Sequence, residues 1–146
     1  MRTLIAIAAL GAATGSPALA APAPAAEAVV VAFHSALAKG DTKAAAALLA
    51  DDALIFEEGG VERSKAEYAS SHLAADAEFS RAVKSTVTRR VGLSDGAFAW
   101  VATEGRTSGR FKGKAVDRMT TETMVLRRAG RAWRIVHIHW SSGAPQ

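Results

Sequence analysis

Hydrophobic positions along the chain fall into three textures. The first is an apolar block at positions 4–13, behind the basic start Met1-Arg2-Thr3 and ahead of Ser16-Pro17-Ala18-Leu19-Ala20. A basic start, a hydrophobic core and a small A-x-A ending make the layout of a secretory leader, with cleavage expected near Ala20. The block is shorter than the about 20 apolar residues that span a bilayer, and Gly11, Gly15 and Pro17 interrupt it, so no membrane anchor is expected. The second texture is helical. Ala26, Val30, Phe33 and Leu37 form one stripe, closed by Lys39 and a C-terminal Gly40. Asp41 caps a short helix over 42–49, and a strand over 53–56 leads to a Gly59-Gly60 turn with Val61-Glu62 as the return. Ser64-Lys65-Ala66-Glu67 is a capping box that opens a third helix, with Tyr68, His72, Ala75 and Phe79 on one face. The pattern leaves open whether this helix runs unbroken to Ala82 or breaks between Leu73 and Asp76.

The third texture starts at Val83. Four strands are expected, over 83–93, 97–108, 114–127 and 132–141, separated by Gly-containing turns and a 109–113 loop. They are about twice the usual 5–6 residues, and long strands in one meander must curl. The predicted fold class is α+β: three N-terminal helices packed in the concave face of a curled antiparallel sheet, a cone-shaped α+β barrel. The expected organisation is a leader over 1–20, a flexible tether over 21–26, one domain over 27–141 and a frayed tail over 142–146.

Composition changes this picture only in detail. There is no cysteine, so a domain working outside the cytoplasm would rely on packing rather than disulfides. The formal charge of +4 falls to +3 once Arg2 leaves with the leader. The basic residues are scattered and many lie next to glycines, which reads as a solvated strand surface rather than a nucleic-acid interface. Export to the periplasm, or secretion, is the expected localisation, with no nucleic-acid partner.

Candidate chemistry comes from alternation along the strands. On the last strand Trp133, Ile135, His137, His139 and Ser141 share one side, and Arg134, Val136, Ile138 and Trp140 the other. Both sides are apolar enough to need covering, so a homodimer through an outer face carrying Val136, Ile138 and Trp140 is expected. Glu104 and Glu122 sit mid-strand, as pocket acids or as salt-bridge partners. His137 and His139 lie about 7 Å apart by the strand rise. A metal site would need His34, His72, Glu104 or Glu122 as well, and no metal or other cofactor is expected. No nucleophile elbow, phosphate-binding loop or dinucleotide fingerprint is present.

The ordered set Val30-x-x-Phe33-His34-x-Ala36-Leu37-x-x-Gly40-Asp41, Leu48-Leu49-Ala50-Asp51-Asp52-Ala53, Glu57-Glu58-Gly59-Gly60, Ser64-Lys65-Ala66-Glu67-Tyr68 and Trp133 to Ser141 resembles a known family. It is similar to the SnoaL-like branch of the nuclear-transport-factor-2-like, cystatin-like superfamily, in a small exported form. The resemblance implies a cone with an apolar cavity open at one end and homodimers through the outer sheet face. It also brings relatives that include ketosteroid isomerases and polyketide cyclases, where pocket acids and a Tyr move protons. On this footing the expected function is binding of a small apolar or amphipathic ligand in a pocket lined by Phe33, Tyr68, His72, Trp100, Glu104 and Trp133. Two alternatives stand beside it. One is a proton-transfer enzyme, an isomerase, cyclase or lyase, using His137 or His139 with Glu122 or Glu104 to orient it and Tyr68 as donor. The other is a non-catalytic association module.

Overall fold

The structure, a computed structural model, describes residues 20–145, so the expected leader lies outside the described residues except for Ala20. In chain order the elements are β1 (Ala21–Pro22), α1 (Pro24–Lys39), α2 (Thr42–Leu48), β2 (Leu49–Glu57), β3 (Gly60–Glu62), α3 (Lys65–Ser71), α4 (Leu73–Ala82), β4 (Val83–Ser94), β5 (Phe98–Phe111), β6 (Lys114–Ala129) and β7 (Ala132–Gly143). The seven strands make one curled sheet in the order β1-β4-β5-β6-β7-β2-β3. The helices cover its concave side.

The helical stripe of α1 forms as expected, with Ala26, Val30, Phe33 and Leu37 all buried. Gly40 closes it at φ 74, a left-handed conformation that suits glycine. Asp41 caps α2, its Oδ1 accepting from the Ala44 amide at 2.9 Å. Ser64 accepts from the Glu67 amide at 3.1 Å, which is one half of the predicted capping box.

Four differences from the sequence reading position the site. First, the third helix, which the pattern left open as continuous or broken, is two helices that meet at His72. The hydroxyls of Ser70 and Ser71 both donate to the Glu67 carbonyl, at 2.9 and 2.8 Å. Such back-bonding competes with the helical ladder and bends it. Second, the sheet is not wholly antiparallel, because β2 lies parallel to β7. Third, β7 carries a bulge: Ile135 opposes Leu126 and His137 opposes Val125, leaving Val136 extra. An extra residue breaks the two-residue alternation, so Ile138 and Trp140 turn to the concave side with Trp133 and Ile135. A second bulge in β4 leaves Thr88 extra between Val87, opposite Gly105, and Arg89, opposite Glu104. Fourth, the ends are tighter than expected. Pro22 pairs with Leu93, α1 starts at Pro24 inside the expected tether, and Ser142 and Gly143 pair with Thr120 and Met119 instead of fraying. Proline is pre-organised for a first helical turn, where its missing N–H costs nothing.

The core lies between helices and sheet and contains Phe33, Leu49, Ile55, Tyr68, Val101, Met124, Leu126, Ile135 and Ile138, all essentially inaccessible to solvent. Each large aliphatic or aromatic side chain so buried contributes about 1.5–3 kcal/mol.

Candidate functional site

Strand register carries one line of paired residues across five strands. Glu57 of β2 pairs with Trp140 of β7, Trp140 with Glu122 of β6, Glu122 with Thr103 of β5, and Thr103 with Arg90 of β4. Paired residues share a face, and this rung lies on the concave side because Ile55, Ile138, Met124 and Val101, two positions away on the same strands, are in the core. The rung is therefore a polar row laid across the cone just where its apolar packing ends.

Helices supply the groups that meet it. The His34 imidazole of α1 donates from Nε2 to Glu122 Oε2 at 2.6 Å. The indole of Trp140 donates to the same oxygen at 2.7 Å. The Glu122 side chain is only 7% exposed, against 40% for His34. Burial pushes the Glu122 carboxyl up, but the hydrogen bond and charge of His34, the Trp140 bond and the Arg90 charge outweigh it and hold the carboxyl below its ordinary value. Its other oxygen, Oε1, is buried without a partner. Trp140 also stacks on Phe33, ring centres 6.4 Å apart, and lies tilted against Tyr68 at 6.4 Å. One indole thus joins the two halves of the rung.

At the Glu57 end the carboxylates crowd. The Tyr68 hydroxyl donates to Asp76 Oδ2 at 2.6 Å across the helix break. His72 pairs with Glu62 of β3. A cleft of ≈ 290 Å³ is lined by Glu57, Glu58, Gly60, Glu62 and His72. Glu57 is exposed at the strand end, yet surrounding protein, then repulsion from Asp76, Glu58 and Glu62, pushes its carboxyl up to about 7, with His72 opposing. Burial raises Asp76 as well, against the Tyr68 bond and the His72 charge. Burial and the Asp76 charge push the Tyr68 phenol well above its ordinary range, while the Glu62 bond raises His72. A carboxyl titrating near neutrality beside a fixed hydroxyl–carboxylate pair can accept or deliver a proton at physiological pH.

The sequence-predicted residues divide clearly. Glu122 is in the site, and His72 is at the mouth of the cleft. Phe33, Tyr68 and Trp133 face inward as expected, but they are packed into the core rather than lining an open apolar cavity. Trp100 and Glu104 lie on the convex face. Trp100 is 40% exposed, and Glu104 faces Arg89 at 3.5 Å. His137 and His139 also point to the convex face because of the Val136 bulge, where their rings pack against Phe56 at 4.9 and 6.3 Å. His137 Nδ1 donates to the Leu54 carbonyl at 3.0 Å. The same bulge removes Ile138 and Trp140 from the expected dimer face: Ile138 is wholly buried and Trp140 bonds Glu122. Among the described residues no cluster of three His, Cys, Asp or Glu is arranged to hold a metal ion.

Sequence reasoning missed Glu57, Glu62, Asp76, Arg90 and Thr103, gave His34 only a metal-ligand role, and set Trp140 on the wrong face. One usable signal existed. Tyr68, His72 and Asp76 recur at four-residue spacing, a polar ladder on an otherwise alanine-rich segment.

The match to known proteins follows this architecture. Residues 26–145 match the SnoaL-like domain family. The chain belongs to the SnoaL-like family. A solved structure from Shewanella frigidimarina NCIMB 400, provisionally named a ketosteroid isomerase, is 38% identical with a TM-score of 0.77, covering 80% of this chain and 94% of that one. A Streptomyces avermitilis protein of the nuclear-transport-factor-2-like family, provisionally named a dehydratase, is 18% identical with a TM-score of 0.71, covering 84% and 97%. A Xanthomonas campestris protein provisionally named a calcium/calmodulin dependent protein kinase II association domain is 22% identical with a TM-score of 0.69, covering 81% and 85%. The last two share the fold alone. Among curated proteins no sequence matches significantly.

Proposed function

We propose that this SnoaL-like protein binds a small organic molecule against the polar rung and moves a proton on it, with Glu57 as the acid–base group. The observation that carries this reading is one cleft lined by Glu57 and the His72–Glu62 pair, with the hydrogen-bonded Asp76 close enough for its charge to act on Glu57. Glu57 accepts the proton, Asp76 and Tyr68 fix the electrostatics around it, and His72 closes the acidic mouth. The provisional name of the Shewanella relative, ketosteroid isomerase, supports the same class of step. The test is solvent deuterium wash-in at carbons next to a carbonyl, followed by NMR over a panel of small ketones. Wild type accelerates exchange on at least one member, and Glu57→Gln loses about 10²-fold or more of it. Equal exchange by the two proteins removes Glu57 from the role.

A second reading is favoured by the filled core. Phe33, Tyr68 and Trp133 occupy the space where an apolar ligand was expected, as suits a domain whose business is association. A protein with no exchange activity on any ketone, but with a stable oligomer, would be this second kind.

We further propose that the protein works outside the cytoplasm after loss of residues 1–20. In support, residues 1–20 carry the basic start, apolar block and Ala18-Leu19-Ala20 ending of a cleavable leader. N-terminal sequencing of the protein recovered from the periplasm or medium should start at Ala21. A start at Met1 or Arg2 would refute export by cleavage.

A further inference from the structure

The Arg90 end of the rung has two unfulfilled groups. Glu122 Oε1 is buried and accepts no hydrogen bond, on a side chain that is 7% exposed. A buried acceptor left bare costs about 1–3 kcal/mol, more when charged, so the folded protein gains whenever a donor reaches it. Two strands away, Arg90 spends its Nε on Thr103 Oγ1 at 3.1 Å and makes no salt bridge among the described residues. Its charge acts on Glu122 without ion-pair contact. The two side chains spring from backbones roughly 10 Å apart, two strand spacings, with only Thr103 between them on the rung.

Val87, the next inward position of β4, is 48% exposed. Gly105 lies opposite it on β5 and beside Thr120 on β6, a buried position of the concave floor with no side chain of its own. A Cβ at Gly105 would come within 2.8 Å of the Thr86 carbonyl oxygen and 3.3 Å of Thr120 Oγ1. The Thr88 bulge is what turns Arg90 toward this floor rather than to the convex face.

We propose that the Arg90–Glu122 gap is a binding subsite for a short carboxylic acid bearing a hydroxyl or ammonium group. The carboxylate docks on the free guanidinium nitrogens of Arg90, and the donor group satisfies Glu122 Oε1. Arginine suits a planar carboxylate because its donors form a fork. Glu122, already holding His34 and Trp140 on Oε2, is pinned in place and offers one bare oxygen. The pairing of cation and acceptor selects for both groups on one molecule. This subsite lies at the opposite end of the rung from Glu57, beyond Trp140, and shares with the proton-transfer reading only the concave face.

The probe is 3-hydroxybutyrate, titrated by calorimetry and by NMR into the full chain, with butyrate and 2-butanol as controls. Wild type binds 3-hydroxybutyrate about tenfold or more tighter than butyrate, as expected for a hydrogen bond to a charged group, and 2-butanol does not saturate. Arg90→Gln weakens the hydroxy acid by about tenfold or more. Glu122→Gln abolishes the preference over butyrate. Equal binding of 3-hydroxybutyrate and butyrate by wild type, no saturable binding at tens of millimolar, or an unchanged affinity in a folded Arg90→Gln overturns the subsite. The comparison of ligands on wild type does not depend on any variant folding. The deuterium exchange assay on Glu57→Gln stays separate: binding without exchange sinks the reaction and keeps the subsite, and exchange without binding does the reverse.

Discussion

Glu57 and Trp140 show how single side chains acquire roles from their surroundings. Glu57 titrates near 7 in the fold against an ordinary value of 4.5. A carboxyl with a raised folded pKa contributes stability that is full below the unfolded value and is lost as pH rises through the folded one. Its window therefore runs from about 4.5 to 7, and Asp76 is shifted in the same direction. Glu57→Gln should melt higher than wild type at pH 8 and match it near pH 4.5, as read from thermal unfolding at the two pH values. A variant that melts lower at pH 8 would mean that the ionised carboxylate is welcome there. Trp140→Phe keeps the ring contact with Phe33 but removes the donor to Glu122. It should cost about 1–3 kcal/mol in denaturant unfolding, and a loss under about 0.5 kcal/mol, the range of inert surface changes, would show that the bond is not used. At this scale the sequence was a partial guide. Glu122 stood out as a charge in mid-strand, whereas Glu57 looked like one more acid beside a glycine turn.

Elements decide which of these residues meet. The α1 stripe and the two capped helices were readable because periodicity and caps are local. Breaks in periodicity were not. The helix break at His72 needs two serine hydroxyls to choose the Glu67 carbonyl, and it brings Tyr68 and Asp76 together. The bulges at Thr88 and Val136 each shift alternation by one residue, aiming Arg90 and Trp140 inward and His137 and His139 outward. Strict alternation therefore set His137, His139 and Trp140 on faces they do not occupy. Gly105 gives an element-scale test of the close packing of β4 on β5. Gly105→Ala forces a Cβ against the Thr86 carbonyl oxygen, and overpacking of this kind costs about 1–3 kcal/mol. Unchanged stability in urea would mean that β4 can move aside.

At the scale of the whole molecule, the convex sheet face stays exposed after the cone has formed. Pairing brings Trp100, Val125, His137 and Leu54 into one outward row, with Val91, Thr123, His139 and Phe56 in the next. Trp100, Leu54 and Val91 are all solvent-accessible. A contiguous apolar patch of this kind marks an interaction surface, and we propose that a second copy of the chain covers it, centred on Trp100 rather than on Ile138 and Trp140. Sedimentation at micromolar concentration should give a dimer for wild type and a monomer for Trp100→Glu. A monomeric wild type would retire this interface.

The sequence by itself determined the α+β class, the order of helices and strands, the capped starts and the SnoaL-like membership. All of these follow from local periodicity, turn residues and an ordered set of motifs. Only the tertiary structure decided the site. Which face a strand residue occupies after a bulge, and which side chains from distant elements share one rung, depend on register across five strands. A single extra residue reverses that register without leaving a mark on the local pattern.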